Sequence, residues 1–174
     1  MHLYPFTSHY HTQSDGHRLH YLDEGPADGQ PVVMVHGNPT WSFYYRKLVN
    51  ELKGSHRCLV PDHIGMGLSD RPSDEHYVYT LQSRVDDLGH WLDAVEPERP
   101  VDLIVHDWGG AIGMSWAARN PERVRRIVLL NTWAFNIPEN ASLPASLRFA
   151  RTGIGAFMIN RFNAFSGLAV RMAT

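Results

Sequence analysis

A chain of 174 residues, 43% of them hydrophobic, is long and apolar enough for one globular domain with a real core. Its formal net charge of -2, with both signs interleaved, leaves no basic stripe of the kind that binds nucleic acid or an anionic membrane. The single cysteine, Cys58, excludes a disulfide framework and a cysteine-built metal site, so a reducing cytoplasm is the expected location. Residues 1–13 carry no signal-peptide pattern and no run is apolar enough to span a membrane, so a soluble protein is expected.

From Val32 to Leu130, short β-branched runs alternate with longer helical patterns, the signature of an α/β fold with a mainly parallel sheet. Ahead of them, His17 to Glu24 reads as a strand after the turn Ser14-Asp15-Gly16. Ser8 to Gln13 pairs with it as a hairpin, giving an antiparallel front edge. Pro31 to Val35 is an apolar run of buried-strand type, broken at His36-Gly37-Asn38-Pro39. A helix is predicted over Thr40 to Lys53, with Tyr44, Leu48 and Leu52 on one face and Gly54 closing it. Cys58 to Val60 is a strand running into Asp62-His63-Ile64-Gly65-Met66-Gly67-Leu68-Ser69. That loop lacks the lysine and Ser/Thr of a phosphate cradle and reads as turn-forming. Thr80 caps a helix in which Leu81, Val85, Leu88 and Leu92 recur at helical spacing.

Val101 to Val105 is the next buried strand, turning at His106-Asp107-Trp108-Gly109-Gly110 into a helix that ends near Asn120-Pro121. A last strand, Arg126 to Leu130, is expected to expose its edge and apolar face. After Asn131-Thr132-Trp133 the pattern loosens into proline-punctuated helical segments, without repeats or low-complexity tracts.

In Val105-His106-Asp107-Trp108-Gly109 an acidic residue sits at the centre of a strand-to-helix turn whose glycine at plus two permits close packing of helix on strand. That is a nucleophile elbow. The turn lifts one side chain above the sheet, and the backbone N–H groups that follow it lie at the positive end of a helix. Carboxylates, with a reference pKa of about 3.9, are ionised at neutral pH and need no base for a first displacement. The plainer alternative is an aspartate that merely caps the helix. His36-Gly37-Asn38-Pro39-Thr40-Trp41 stands where hydrolases of this kind supply the other oxyanion-hole N–H, and His36 reads as a structural histidine bonding the loop backbone. The eleven histidines offer no pair with carboxylate-flanked helical spacing, so no metal is expected. Gly109-Gly110-Ala111-Ile112-Gly113 lacks the order of a dinucleotide loop, and no cofactor is expected.

With Asp62-x-x-Gly65-x-Gly67-x-Ser69 between them, His-Gly-Asn-Pro-Thr and His-Asp-Trp-Gly-Gly make residues 15–135 resemble the haloalkane dehalogenase family of α/β-hydrolases. The resemblance implies an α/β-hydrolase fold with Asp107 as the catalytic nucleophile. The side-chain N–H groups of Asn38 and Trp108 would bind the departing halide. Residues 1–134 would form the first part of the core and 135–174 the start of a helical cap. The last core strands, most of the cap, the histidine base and its acid are expected beyond Thr174, since Asn131-Thr132 after the sixth strand carries no acid. The implied substrate is a small apolar haloalkane, attacked to give an alkyl-aspartyl ester that water then cleaves.

Three alternatives stand beside this reading. Epoxide hydrolases resemble the chain at His-Asp-Trp-Gly-Gly but usually place an aromatic where Asn38 stands. A β-lactone decarboxylase of olefin biosynthesis is not separated by these motifs. Outside catalysis, the chain would be a remnant that binds a ligand or partner.

Overall fold

The computed structural model describes residues 3–133, 145–150 and 152–162. The chain divides into two compact units, Met1–Ala134 and Phe135–Thr174.

In the first unit β1 (His9–Thr12), β2 (Arg18–Glu24), β3 (Gln30–Val35), β4 (His56–Pro61), β5 (Val101–His106) and β6 (Val124–Leu130) form one sheet. The order is β1-β2-β4-β3-β5-β6. The β1–β2 and β2–β4 pairs are antiparallel, and β3–β4, β3–β5 and β5–β6 are parallel. The mainly parallel sheet with an antiparallel N-terminal edge is the one the hydropathy pattern predicts.

The apolar runs of β3 and β5 are continuous because the strands are covered on both sides. Val33, Val35, Leu103 and Val105 face α2 (Leu81–Val95) and α3 (Trp108–Arg119), meeting Leu88, Trp91, Ile112 and Trp116. The alternate residues Val32, Met34 and Ile104 face the other way, against Tyr45 and Val49. A period of two thus splits one sequence run between two cores.

The helix predicted over Thr40 to Lys53 is shorter and begins differently. A 3-10 turn, Ser42–Tyr45, leads into α1, Arg46–Leu52. Thr40 cannot start it, because its N–H and hydroxyl both donate to Gly37 O, at 3.1 and 3.0 Å. Ser42 N–H is held by Asp62. The 3-10 pitch also rotates the buried face, so Tyr45 and Val49 are buried and Tyr44 is exposed, with Leu48 and Leu52 at the margin. In α2, Val85, Leu88 and Leu92 are buried as predicted, but Leu81 is exposed and Trp91 completes the stripe. Thr80 caps the helix by accepting from Ser83 N–H at 3.1 Å. Strand β6 lies at the sheet edge, with Ile127, Val128 and Leu129 42, 45 and 54% exposed, so apolar side chains of both faces are open.

In the second unit α4 spans Ala145–Ala150 and α5 Gly153–Phe162. The rest of the segment expected to open a cap, 135–144, 151 and 163–174, lies outside the described residues. Among the described residues, no helix is long and apolar enough to cross a membrane.

Candidate active site

Strand β5 delivers Asp107 to the C-terminal edge of the sheet with φ 53° and ψ -128°, a left-handed conformation rare for a residue with a side chain. The turn is tight because the chain reverses from strand to helix at one residue. Its carboxylate does not cap α3, which removes the plainer reading of this aspartate. Instead Oδ1 accepts the backbone N–H of Asn38 at 2.9 Å, so the loop after β3 aims a donor at the acidic side chain.

Glycines make that approach possible. A Cβ on Gly37 would lie 2.4 Å from Asp107 Oδ1, and one on Gly109 would lie 2.0 Å from the carbonyl oxygen of Val35. At Gly110 it would fall on the Thr132 hydroxyl, which donates to Asp107 O at 2.6 Å and ties the elbow to the end of β6. Thr132 was not legible as a site residue, because its contact spans 25 positions.

Behind Asn38, two histidines hold the loop. His36 donates from Nδ1 to Gly37 O at 3.0 Å and accepts His63 N–H at Nε2, 3.2 Å away. His63 in turn donates from Nε2 to His36 O at 2.9 Å. Both rings are buried, and burial pulls His36 below the ordinary histidine value of 6.5 and His63 well below it. His36 is thus the structural, backbone-bonding histidine that its motif predicts. An unfolded chain takes up these protons near 6.5 while the fold refuses them, so stability is complete above that value and declines as pH falls below it. Each histidine should contribute a slope of up to about 1.4 kcal/mol per pH unit. Urea midpoints recorded from pH 7.5 down to 5.5 test this, and a flat profile would contradict it.

The loop Asp62 to Ser69 is built on a buried carboxylate. Asp62 accepts Ser42 N–H at 2.7 Å on Oδ1, and Leu68 N–H and His20 Nδ1–H, each at 2.9 Å, on Oδ2. Gly67 has φ +53°, and a Cβ there would strike Asp62 Oδ2. The turn-forming reading of this loop is therefore right, but the sequence did not show that Asp62 anchors the start of the neighbouring 3-10 turn.

Asn38 and Trp108 line one cleft of about 300 Å3, whose wall continues through Tyr79, Thr80, Leu81 and Arg84 of the α2 N-terminus. Trp108 is partly exposed and meets Trp133 edge to face at 5.3 Å. Among the described residues, neither the Asn38 amide nor the Trp108 indole has a protein hydrogen-bond partner, and both are donors. No group of metal-ligating side chains occurs among the described residues.

A family model described as the alpha/beta hydrolase fold matches residues 30–165. The chain belongs to the α/β-hydrolase family. Among curated α/β-hydrolase relatives, the cis-3-alkyl-4-alkyloxetan-2-one decarboxylase of Shewanella oneidensis is 54% identical, over 96% of this chain and 52% of its own. The decarboxylase of the same name from Xanthomonas campestris is 47% identical, over 94% and 56%. Haloalkane dehalogenase 2 of Mycobacterium tuberculosis is 44% identical, over 75% and 44%. Among solved structures, the haloalkane dehalogenase DatA of Agrobacterium tumefaciens aligns with a TM-score of 0.78 at 31% identity, covering 91% of this chain and 54% of its own. The chain spans about half the length of the relatives it matches.

In this member of the α/β-hydrolase fold family the glycine at plus two of the elbow faces backbone rather than a side chain, so nothing nearby yields to a new methyl group. Gly109→Ala should cost about 3 kcal/mol or more, read as a lower thermal midpoint. Gly54→Ala, where a Cβ meets nothing within 4 Å, is the control and should change little.

Proposed function

We propose that the protein to which this chain belongs opens and decarboxylates a cis-3,4-dialkyl β-lactone, with Asp107 as nucleophile and the Asn38 and Trp108 N–H groups as anion donors. The observation that carries the reading is the reach of the match. Identity of 54% with an oxetan-2-one decarboxylase runs through 96% of the chain, whereas 44% identity with a dehalogenase runs through 75%.

The chemistry fits the residues present. Asp107 attacks C4 of the ring in line with the C4–O1 bond, and the electron pair of that bond passes to O1, giving a carboxylate on C3 and an alkyl-aspartyl ester. The C2–C3 electrons then form the C3=C4 double bond while the ester C–O bond breaks, returning the electron pair to Asp107 and releasing CO2. In-line attack leaves the ester oxygen anti to the carboxylate, so a cis lactone gives a cis olefin. No water enters and no proton moves.

Hydrolytic dehalogenation is the second reading, supported by the same constellation of Asn38, Asp107 and Trp108 and by the likeness to DatA. It uses the same first step, but its ester must be cleaved by water with a general base. Full-length gene product should be supplied in parallel with a cis-3,4-dialkyl oxetan-2-one and a 1-bromoalkane. Cis olefin without bromide release is the expected result. Bromide release without olefin would replace this reading with the second one.

A further inference from the structure

The cleft that Asn38 and Trp108 line also holds a positive charge to which the scheme above assigns no role. Arg84, in the first turn of α2, lines it together with Asn38 and Trp108 and is only partly exposed. Its Nη1 donates to Ile64 O at 3.0 Å, one of the five N–H donors a guanidinium carries. Among the described residues, no carboxylate lies within ion-pair distance of it, whereas Arg18, Arg57, Arg99, Arg119, Arg123 and Arg125 all have such partners. The nearby Asp87 carboxylate is engaged by the Tyr77 hydroxyl at 2.6 Å. Burial without a close counter-charge pushes the Arg84 guanidinium below its ordinary value.

The other walls carry no counter-charge, although the Tyr79 ring faces the guanidinium with its centroid 5.9 Å from Cζ. Tyr79 spends its hydroxyl on Pro72 O and Thr80 spends its own on capping Ser83, while Leu81 is apolar. Three donor-bearing side chains therefore line one space that no acidic side chain lines: the Asn38 amide, the Trp108 indole and the Arg84 guanidinium, whose Nη1 also serves Ile64 O. A partly buried fork without an acid partner is complementary to a planar carboxylate, which it takes in two parallel hydrogen bonds. A monatomic halide needs no such fork.

We infer that this cleft is a carboxylate subsite, with Arg84 as its charged group, and that it receives the carboxylate exposed when the lactone ring opens. The inference rests on the lactone reading for the source of its ligand. Arg84 holds the departing O1 as charge gathers on it, and the hold ends when the group leaves as neutral CO2. Arg84 is thereby the residue that favours a lactone over a haloalkane.

Butyrate is the probe, titrated into full-length gene product and followed by tryptophan fluorescence, with bromide titrated in parallel. Saturable butyrate binding is expected in the wild type. Arg84→Gln should weaken it about tenfold while leaving bromide within about twofold. Equal butyrate affinity in the variant, or no saturable binding in the wild type, overturns the assignment. An equal loss for bromide also overturns it, reducing Arg84 to a general attractor of anions. Should Arg84→Gln fail to fold, Arg84→Lys keeps the charge and one donor for Ile64 but loses the fork. Its butyrate affinity should then fall about threefold, and an unchanged value counts against the subsite. None of these readings needs turnover, so the lactone reading fails in the olefin assay and this one in the butyrate affinity.

Discussion

Asp107→Asn should lower turnover of the full-length protein by roughly 10,000-fold or more, while the fold survives. Asparagine is the substitution that isolates chemistry from structure here. It tolerates the positive φ of 53° better than any other uncharged residue with a side chain, and it keeps an oxygen for Asn38 N–H, which now donates to Oδ1 at 2.9 Å. What it loses is the anionic oxygen that the proposed mechanism sends to carbon. Olefin formation from the oxetanone should vanish, with the thermal midpoint within about 2 °C of wild type. Residual activity above about 1% would remove Asp107 from the nucleophile's role.

The sheet was legible because its determinants are local. An apolar run such as Pro31 to Val35 or Val101 to Val105 reports burial on both faces, and the glycines after Asp107 report a turn that leaves no room for Cβ atoms. The helix start at Thr40 was misplaced because what decides it is not local. Ser42 N–H is claimed by Asp62, twenty positions on, and no pattern within the helix itself carries that information. Thr132 and Arg84 escaped for the same reason: the fold brings Thr132 onto Asp107 and Arg84 into the cleft with Asn38 and Trp108. The choice of reaction was hidden more deeply. Asp107, Asn38 and Trp108 suit in-line displacement at carbon whether the leaving group is a halide or a carboxylate. The motif therefore resembles a dehalogenase equally well in both cases, and on the proposed reading the difference lies in cleft walls such as Arg84, which no short motif encodes.

Asp62→Ala should be the most destabilising single change, about 3–5 kcal/mol, because it strands three donors in a site without solvent. Asp62→Asn is the sharper test. Its oxygen can keep Ser42 N–H, but its NH2 then faces Leu68 N–H, a donor that cannot turn away, so a loss of about 2 kcal/mol or more is expected even at constant shape. Burial alone would push the Asp62 carboxyl up, yet the bond from His20 and the Leu68 and Ser42 N–H groups hold it below the ordinary 3.8. A carboxyl lowered in the fold stabilises fully above the unfolded value of 3.8, and that contribution disappears as pH falls through the lower, folded value. Wild type should therefore lose stability on this account only below about pH 3.8, whereas the histidine pair already weakens it below about 6.5. Urea titrations of wild type and Asp62→Asn should run parallel between pH 5 and 7 and converge in strong acid. Asp62→Ala should also lose catalysis beyond its loss of fold, because Ser42 N–H on Asp62 Oδ1 fixes the far end of the loop whose near end aims Asn38 N–H at Asp107. A variant that keeps full activity per folded molecule would show that this loop holds its aim without Asp62.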